Sequence, residues 1–408
     1  MKLLSDQGLF DVLSALPGRP RVVSGGNHGT PTALLAALDR AIPEYRLFML
    51  NAGSAVPDRD GVTLETCFVG AGMRGSRRLA YIPSRLSLLP VLFRTTLPPD
   101  AVVVQTTAPR NGVVSLGVEV NVLPSAIEAC RARGGVVIAQ LNPRMPYTFG
   151  DSQLALDEID FAIEVEEPLA EHHARPPDDI SAGIGERVAS LVPNGATLQL
   201  GIGAVPDATL AALTGRQGLR IWSEMFSDGL LALDRAGVLD PDRVITASFC
   251  FGSPELYEWL DGNTRVRMLR TEKTNDPALI ARQPAMTSVN TALQVDLFAQ
   301  VNASRIGHRV WSGFGGQTDF IVGALHAIDG RALIALRSWH DKTGSSTVVP
   351  LLDEPVTSFQ PTAIVTENGV ASLLGHDERA QARHLIDHAA HPKIREELQG
   401  AAVRLGLA

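Results

Sequence analysis

The sequence predicts an α/β fold with two related domains and mainly parallel sheets. Short apolar runs at 101–105, 135–140, 161–165, 197–200 and 332–336 alternate with Ala- and Leu-rich helical patterns along the whole chain. Continuous apolar runs of this length are typical of strands that are buried on both faces, as in parallel sheets covered by helices. The second observation is an internal repeat. The third is the length of 408 residues, which is enough for two or three domains.

The repeat joins a strand, a glycine-rich turn and a helix. In the first copy a strand at 22–24 leads into a turn at 25–29 and a helix that starts near Pro31. In the second copy the strand is at 198–200, the turn at 201–205 and the helix start near Pro206. Six of the eight residues are identical in the two segments that begin at these prolines, and proline is favoured in the first turn of a helix. The match favours duplication over chance similarity of Ala- and Leu-rich helices.

We expect the domain boundary in the polar, proline-containing stretch at 171–179, which gives domains 1–180 and 181–408.

A net charge of −8 argues against a general affinity for nucleic acid. The most apolar stretch, 86–93, is too short to span a membrane, and no export signal is visible at the N-terminus. The three cysteines are widely separated without a CxxC spacing, which favours reduced thiols and a cytoplasmic protein. They are Cys67, Cys130 and Cys250.

Three local patterns have two interpretations each. The GxGxxG pattern at 70–75 fits a dinucleotide site, but no helix pattern follows it, so a tight turn is favoured. His384, His388 and His391 have a spacing that fits a zinc site on one helix face, but a helix end is favoured because Pro392 follows. The acidic residues at 164–171 fit a solvated surface better than an acid/base pair. None of these patterns predicts a metal site or a bound nucleotide.

The turn at 201–205 is the first candidate binding element. A strand, a glycine-containing turn and a helix place backbone N–H groups where an anion or a carbonyl oxygen can bind, although a generic strand–helix turn is the alternative. The next strand, at 219–222, delivers Glu224 to the same sheet edge, where ligands of parallel sheets bind. A carboxylate that faces backbone donors can attack an activated acyl group. The matching strand of the first copy ends in Asn51, so the second half is expected to carry the chemistry.

Two further turns, at 274–277 and 312–320, predict by themselves only bends, the second with glycines that permit close backbone approach. Together with the segments at 139–146, 200–204, 223–229 and 301–302, however, they form an ordered set of motifs. This set resembles the acetyl-CoA hydrolase/transferase family, which includes 4-hydroxybutyrate and butyryl-CoA:acetate CoA-transferases. The resemblance covers nearly the whole chain.

The resemblance implies a CoA-transferase with two α/β domains of the CoA-transferase type. Glu224 would be the nucleophile of a ping-pong reaction that passes through an acyl-glutamyl anhydride and a glutamyl-CoA thioester. Gly316 would supply an N–H group to the oxyanion hole, and Asn275 would position Glu224. Acyl-CoA and a small carboxylate would be the substrates, without a metal or a permanently bound cofactor, and the protein would be a homo-oligomer. The residues that contact CoA would be Gly201, Ile202, Gly203, Ala204, Val205 and Gly315.

Three positions depart from the family pattern. Gln360 stands where an arginine is common, Asn368 where a tyrosine is usual, and Arg337 where a proline is usual. A lost arginine or tyrosine can alter the binding of a carboxylate or of the CoA phosphates, so the acyl group stays open. Two alternatives remain beside the transferase: an acyl-CoA hydrolase that uses the same glutamate, and a non-enzymatic sensor of acyl-CoA or sugar phosphates.

Overall fold

The computed structural model describes residues 1–53, 56–172 and 176–408. Its contacts divide the chain into two compact units. Unit 1 comprises Met1–His173 and Ile245–Thr274, and unit 2 comprises Ala174–Val244 and Asn275–Ala408. Residues 173–175 of the predicted boundary stretch lie outside the described residues, and the division into domains at residue 180 stays a prediction.

Unit 1 is built on an eight-stranded sheet in which every strand pair is parallel. Across the sheet its strands are Lys2–Leu3, Phe161–Glu164, Val136–Leu141, Ala101–Thr106, Arg21–Ser24, Tyr45–Met49, Val62–Thr66 and Leu79–Tyr81. The central strand Ala101–Thr106 is buried at every position, which is why it consists of an unbroken apolar run rather than an alternating pattern.

The helices of unit 1 pack on this sheet and on one another. The helix Leu123–Arg131 packs on the central strands, and Asp6–Ser14 packs on Thr32–Ala41. The remaining helices are Leu89–Arg94, Pro254–Leu260 and Thr271–Thr274, with 3-10 turns at Leu86–Leu88 and Leu156–Glu158. Short strands lie at Val113–Ser115, Gln153–Ala155, Ile245–Ala247, Phe249–Cys250 and Val266–Met268.

Unit 2 contains a six-stranded sheet with the strand order Arg220–Ile221, Thr197–Leu200, Thr287–Asn290, Arg331–Ala335, Ala363–Thr366 and Gly369–Ser372. All neighbours are parallel except the last pair. Shorter strands lie at Met225–Phe226, Gln294–Asp296, Val301–Asn302, Arg305–Ile306, Arg309–Val310, Trp339–His340, Ser345–Ser346 and Val348–Val349. The predicted α/β fold with mainly parallel sheets is thus confirmed.

The helices of unit 2 are Asp179–Ser190, Ala204–Ala212, Asp228–Arg235, Pro277–Ile280, Gln317–His326, Glu378–His384 and Arg395–Arg404. A π-helical turn occupies Leu385–Ala389, and 3-10 turns lie at Leu213–Gly215 and Pro392–Ile394. Phe320 and Ile321 of the helix Gln317–His326 belong to the buried core of this unit. That packing fixes the start of the helix, where a candidate site residue lies.

The two sheets share part of their topology. In unit 2 the first five strands of the six-stranded sheet, taken along the chain, have the order second, first, third, fourth, fifth across the sheet. Unit 1 has the same order for the strands Arg21–Ser24, Tyr45–Met49, Ala101–Thr106, Val136–Leu141 and Phe161–Glu164, while Val62–Thr66 and Leu79–Tyr81 extend its sheet beyond Tyr45–Met49. This agreement is consistent with the sequence repeat and covers five strands of each sheet. In such an order the connections reverse direction between the first and third strands, and ligands bind outside the carboxyl ends of the strands at that point.

The structure shows what the GxGxxG and histidine patterns of the sequence form. Residues 71–75 form turns after the strand Val62–Thr66, and no helix starts at these glycines. His384 is the last residue of a helix and its Nδ1 atom lies 2.6 Å from the carbonyl oxygen of Ser372, while His391 accepts a hydrogen bond from the N–H of Lys393. Within the described ranges, no group of three or more His, Cys, Asp or Glu side chains could hold a metal ion. The same ranges contain no helix long and apolar enough to cross a membrane.

Candidate active site

Glu224 lies beyond the carboxyl end of the second strand of unit 2. This strand, Arg220–Ile221, pairs in parallel with the first strand, so that Leu198 is opposite Ile221. Beyond the paired residues, the Ser223 hydroxyl donates a hydrogen bond of 3.2 Å to the carbonyl oxygen of Leu200. The loop that carries Glu224 is therefore held beside the end of the first strand, where the glycine-rich turn begins.

Asn275 and Gly316 meet the carboxyl group of Glu224. The Nδ2 atom of Asn275 donates a 2.7 Å hydrogen bond to the Oε2 atom of Glu224, and Asn275 is fully buried. Gly316 is the N-cap of the helix Gln317–His326. A Cβ atom built on Gly316 would overlap Glu224 Oε2 and Asn275 Nδ2 and would lie 3.1 Å from Glu224 Cδ. Only a glycine leaves room for this arrangement. The structure thus brings Glu224, Asn275 and Gly316, the three predicted catalytic residues, into contact.

The environment of Glu224 makes its carboxyl group hard to ionise. Burial raises its pKa to about 7, the hydrogen bond from Asn275 lowers it, and the negative charge of Asp319 raises it. Glu224 as a whole is partly accessible at the surface of unit 2. A carboxyl group with a pKa near neutrality changes its charge in the physiological pH range, which is typical of groups that take part in catalysis.

The turn that starts at Gly201 leads directly into a helix. The helix begins at Ala204, two residues before Pro206, because Gly203 adopts a φ of 115° and serves as the N-cap. Gly203 has no side chain that could accept a hydrogen bond from the first N–H groups of the helix. Gly201 is partly accessible, Gly203 and Ala204 are exposed, Ile202 is 39% exposed and Val205 is buried. The start of the helix and the apolar side chain of Ile202 are thus accessible from outside the protein.

The other predicted residues lie near the carboxyl ends of unit 2 strands or at its surface. Gly315, next to Gly316, has a φ of 50°. Arg337 follows the strand Arg331–Ala335 and forms ion pairs with Asp178 and Asp341. Asn368 donates a 2.8 Å hydrogen bond to the Ser338 hydroxyl. Gln360 is exposed.

Asp319 is a functional candidate that sequence reasoning missed. It belongs to the first turn of the helix Gln317–His326, three residues after Gly316, and it is fully buried. An acidic residue in the first turn of a helix is common because it interacts favourably with the helix dipole, so its position in the sequence gave no separate signal. Only the fold shows that its charge acts on Glu224.

Removal of the Asp319 charge is expected to move the pH dependence of the reaction. In the variant Asp319→Asn the negative charge that raises the pKa of Glu224 is absent, so Glu224 should ionise at lower pH. The rate of transfer from acyl-CoA to Glu224, measured against pH, should therefore rise at lower pH than in the wild type. Asp319→Glu retains the charge and should keep the wild-type profile. An identical profile for wild type and Asp319→Asn would contradict this role.

Loss of the Asn275 amide is expected to shift the profile in the opposite direction. Asn275→Ala removes the donor that lowers the pKa of Glu224, so a smaller fraction of Glu224 would be ionised at pH 7. Since a hydrogen bond to a charged group contributes about 1.5–3 kcal/mol, we expect a loss of about ten- to hundred-fold in rate at neutral pH. The same pH–rate measurement should show partial recovery at alkaline pH; a uniform loss at all pH values would argue against an effect on ionisation.

Comparison with known proteins identifies the family. Residues 252–402 match the family model described as the acetyl-CoA hydrolase/transferase C-terminal domain. A 4-hydroxybutyrate coenzyme A transferase from Clostridium kluyveri is 37% identical, and the alignment covers 95% of this chain and 94% of that relative. The chain therefore belongs to the acetyl-CoA hydrolase/transferase family, as the sequence motifs predict.

Particular relatives include both transferases and hydrolases. The crystal structure of RipA from Yersinia pestis is similar to this chain with a TM-score of 0.90 and 28% identity, over 100% of this chain and 98% of RipA. A 4-hydroxybutyrate CoA-transferase from Porphyromonas gingivalis has a TM-score of 0.83 and 29% identity, with 99% and 98% coverage. An acetyl-CoA hydrolase from Kluyveromyces lactis is 28% identical over 67% of this chain and 57% of that protein.

Proposed function

We propose that the protein is a CoA-transferase that moves CoA between an acyl-CoA and a short-chain carboxylate, with Glu224 as the nucleophile. The observation that carries this proposal is the juxtaposition of the Glu224 carboxyl group, the Asn275 amide and the start of the helix at Gly316. The transferases among the relatives, at up to 37% identity over nearly the whole chain, support the substrate class.

The reaction has two half-reactions, each with two acyl transfers. A carboxylate oxygen of Glu224 attacks the thioester carbonyl and the C–S bond breaks. CoA departs as the thiolate, and the acyl group and Glu224 form a mixed anhydride. The thiolate then attacks the glutamyl carbonyl carbon, which releases the first carboxylate and forms a glutamyl-CoA thioester. An acceptor carboxylate attacks this thioester and expels CoA thiolate, and the thiolate attacks the acyl carbonyl of the new anhydride. The products are a new acyl-CoA and the regenerated Glu224 carboxylate.

The surroundings of Glu224 fit both roles that it has in these steps. A carboxylate that has lost its water shell is a stronger nucleophile, and burial raises the pKa of Glu224 accordingly. When the glutamyl carbonyl is itself attacked, negative charge develops on its oxygen. We assign the stabilisation of this oxyanion to the backbone N–H of Gly316 and the dipole of the helix that follows, because Gly316 lies against the Glu224 carboxyl group at the start of that helix. Asn275 holds the carboxyl group in one orientation.

The turn at 201–205 is proposed to bind CoA, together with Gly315. The exposed Gly203 and the partly accessible Gly201 allow close approach of a ligand to the backbone, and the positive end of the helix dipole favours a negatively charged phosphate. The exposed Ile202 offers apolar surface for the pantetheine arm. The homo-oligomeric state and the cytoplasmic location remain predictions.

The proposal is tested by trapping the intermediate. The protein is incubated with acetyl-, propionyl- or butyryl-CoA, without and then with an excess of short carboxylates, and the peptide that contains Glu224 is analysed by mass spectrometry. A CoA adduct on Glu224 that disappears when carboxylate is added, with formation of a new acyl-CoA, is the expected result. CoA release that proceeds equally fast without carboxylate would instead identify a hydrolase. Absence of adduct, exchange and hydrolysis with every acyl-CoA would refute the proposal.

A further inference from the structure

Ser223 lies where the second strand of unit 2 leaves the sheet. Just before it, the N–H of Trp222 donates a backbone hydrogen bond of 3.1 Å to the carbonyl oxygen of Leu198. Bonds of a parallel ladder are evenly spaced, so the next one would join the N–H of residue 224 to the carbonyl oxygen of Leu200. At this oxygen the Ser223 hydroxyl donates a hydrogen bond of 3.2 Å. A side-chain bond thus follows the last backbone bond and lets the chain turn away from the strand at Glu224.

The Leu200 carbonyl group belongs to the first peptide of the glycine-rich turn. Its C=O group and the N–H group of Gly201 lie in one plane because the peptide bond does not rotate freely. Glycine has no side chain that would restrict the backbone here, and a Cβ atom built on Gly201 would meet no described atom closer than 4.0 Å. The hydrogen bond from Ser223 is therefore an important restraint on the orientation of this peptide.

Burial increases the effect of this hydrogen bond. Ser223 is 2% exposed and Leu200 is 6% exposed. A buried carbonyl oxygen that loses its partner cannot exchange it for water, which makes the loss costly. Because Ser223 directly precedes Glu224, the same bond also restrains the backbone that carries the proposed nucleophile. One hydroxyl group thus links the start of the glycine-rich turn to Glu224.

We propose that Ser223 is a positioning residue that couples the CoA-binding turn to the nucleophile. Its hydroxyl group does not react; it fixes the Leu200–Gly201 peptide and the Glu224 backbone relative to each other. A CoA molecule that binds at the turn is thereby held in a defined place with respect to the Glu224 carboxyl group. The inference rests on the function proposed for Glu224 and identifies the link between its nucleophile and its binding element.

A small cavity beside Ser223 makes a matched pair of variants possible. The cavity has a volume of about 20 Å³, and Ser223, Leu210 and Leu230 are among the residues that line it. This volume is enough for one group of the size of a water molecule or a methyl group. Ser223→Thr keeps the hydroxyl group and adds a methyl group for which the cavity has room. Ser223→Val has the same shape without the hydroxyl group, so a difference between the two variants reports on the hydrogen bond.

Ser227 is the control for the loss of a hydroxyl group at the same cavity. It lines the cavity and is 3% exposed. Among the residues that the structure describes, its Oγ atom has no hydrogen-bond partner. Ser227→Ala therefore removes a buried hydroxyl group without breaking a described hydrogen bond, and it should leave transfer kinetics and CoA binding unchanged.

Transfer kinetics and CoA binding test the coupling in the full-length protein. Ser223→Thr should be close to the wild type. Ser223→Val should lower kcat at saturating acyl-CoA about ten-fold and raise the Kd of CoA about three-fold, as expected for the loss of one buried hydrogen bond. The pH at which the rate rises should not move, because orientation and not ionisation is changed. A variant that is only less stable would contain fewer active molecules but would keep the Kd of CoA.

Hydrogen exchange of the protein without ligand separates this inference from the proposed function. Mass spectrometry of peptides that cover 198–204 and 220–228 should show faster exchange in Ser223→Val than in Ser223→Thr, in both segments at once. Equal exchange in the two variants, or faster exchange with unchanged kcat and Kd, would overturn the inference. A wild-type protein that neither transfers nor hydrolyses acyl-CoA would refute the proposed function, and the exchange data and the Kd of CoA would then decide whether Ser223 links the two segments.

Discussion

Replacement of Glu224 by glutamine is expected to abolish CoA transfer, with a loss of about 10⁴-fold or more, as is found when a catalytic nucleophile is removed. Glutamine keeps the size of the side chain and can still contact the amide of Asn275, but its amide cannot attack a thioester or form an anhydride. Steady-state transfer between an acyl-CoA and a carboxylate measures the loss. Mass spectrometry of the peptide that contains residue 224 should show no CoA adduct.

The stability of the same variant distinguishes lost chemistry from lost structure. Because the pKa of Glu224 is raised from 4.5 to about 7 in the folded protein, the folded state binds the proton more tightly than the unfolded chain. The wild type should therefore lose stability as the pH rises from 4.5 through 7, by an amount on the order of 3 kcal/mol from this group. Glu224→Gln cannot ionise and should lack that loss. Chemical denaturation of both proteins at pH 5 and pH 8 tests this difference.

An inactive Glu224→Gln that is folded and at least as stable as the wild type at pH 8 would support a catalytic role. Substantial transfer by the same variant would contradict the nucleophile and with it the proposed mechanism. Glu224→Asp is the matched control, because it keeps a carboxylate but withdraws it by one methylene group. It should retain a trace of adduct formation.

The strands, and the sheet edge at their carboxyl ends where the candidate site lies, could be predicted from the sequence because buried parallel strands consist of unbroken apolar runs. The strand Ala101–Thr106 is an example, because its side chains are buried on both faces of the sheet. The position of Glu224 followed from the same logic, because it lies shortly beyond the carboxyl end of the strand Arg220–Ile221. The helix was predicted to start near Pro206 but starts at Ala204. The reason is that Gly203, with a positive φ, ends the turn two residues earlier than the position of the proline suggests.

Contacts between distant segments could not be predicted in this way. The segment Ile245–Thr274 belongs to unit 1 although it lies between the two parts of unit 2 in the sequence. No local sequence pattern indicates that this segment belongs to the other unit. The effect of Asp319 on Glu224 joins two residues 95 positions apart (319 − 224) and depends on the burial of both carboxyl groups. The hydrogen bond between Asn275 and Glu224 is likewise non-local, and only the family resemblance pointed to it.

The two halves of the repeat use a carboxylate in opposite ways. In unit 1, Glu119 accepts hydrogen bonds from three backbone N–H groups and from the amides of Asn27 and Asn121, so both of its oxygens are used to hold a turn. In unit 2, Glu224 is partly accessible and receives its described side-chain hydrogen bond from Asn275. A carboxylate with every lone pair engaged is a poor nucleophile, whereas one with a free oxygen can attack. In the turn of unit 1 the carboxyl group thus has a structural role, while in unit 2 it is available for the proposed chemistry.

Gly316→Ala is expected to cost about 10²–10³-fold in transfer rate, the usual effect of disturbing one oxyanion donor or of displacing reacting atoms by about 1 Å. The added Cβ atom would overlap Glu224 Oε2 and Asn275 Nδ2, so the carboxyl group must move away from the helix start and give up the Asn275 hydrogen bond. Transfer kinetics with saturating acyl-CoA should show the loss in kcat rather than in KM, because the displaced group belongs to the reacting centre.

The control for this variant is Gly215→Ala, which adds the same methyl group where no described atom lies within 4 Å, and it should be as active as the wild type. The adduct experiment then separates two causes of the loss. If Gly316→Ala only displaces Glu224, the CoA adduct should form slowly but completely, since the nucleophile is still present. Wild-type kinetics in Gly316→Ala would show that the start of this helix does not constrain Glu224 during catalysis.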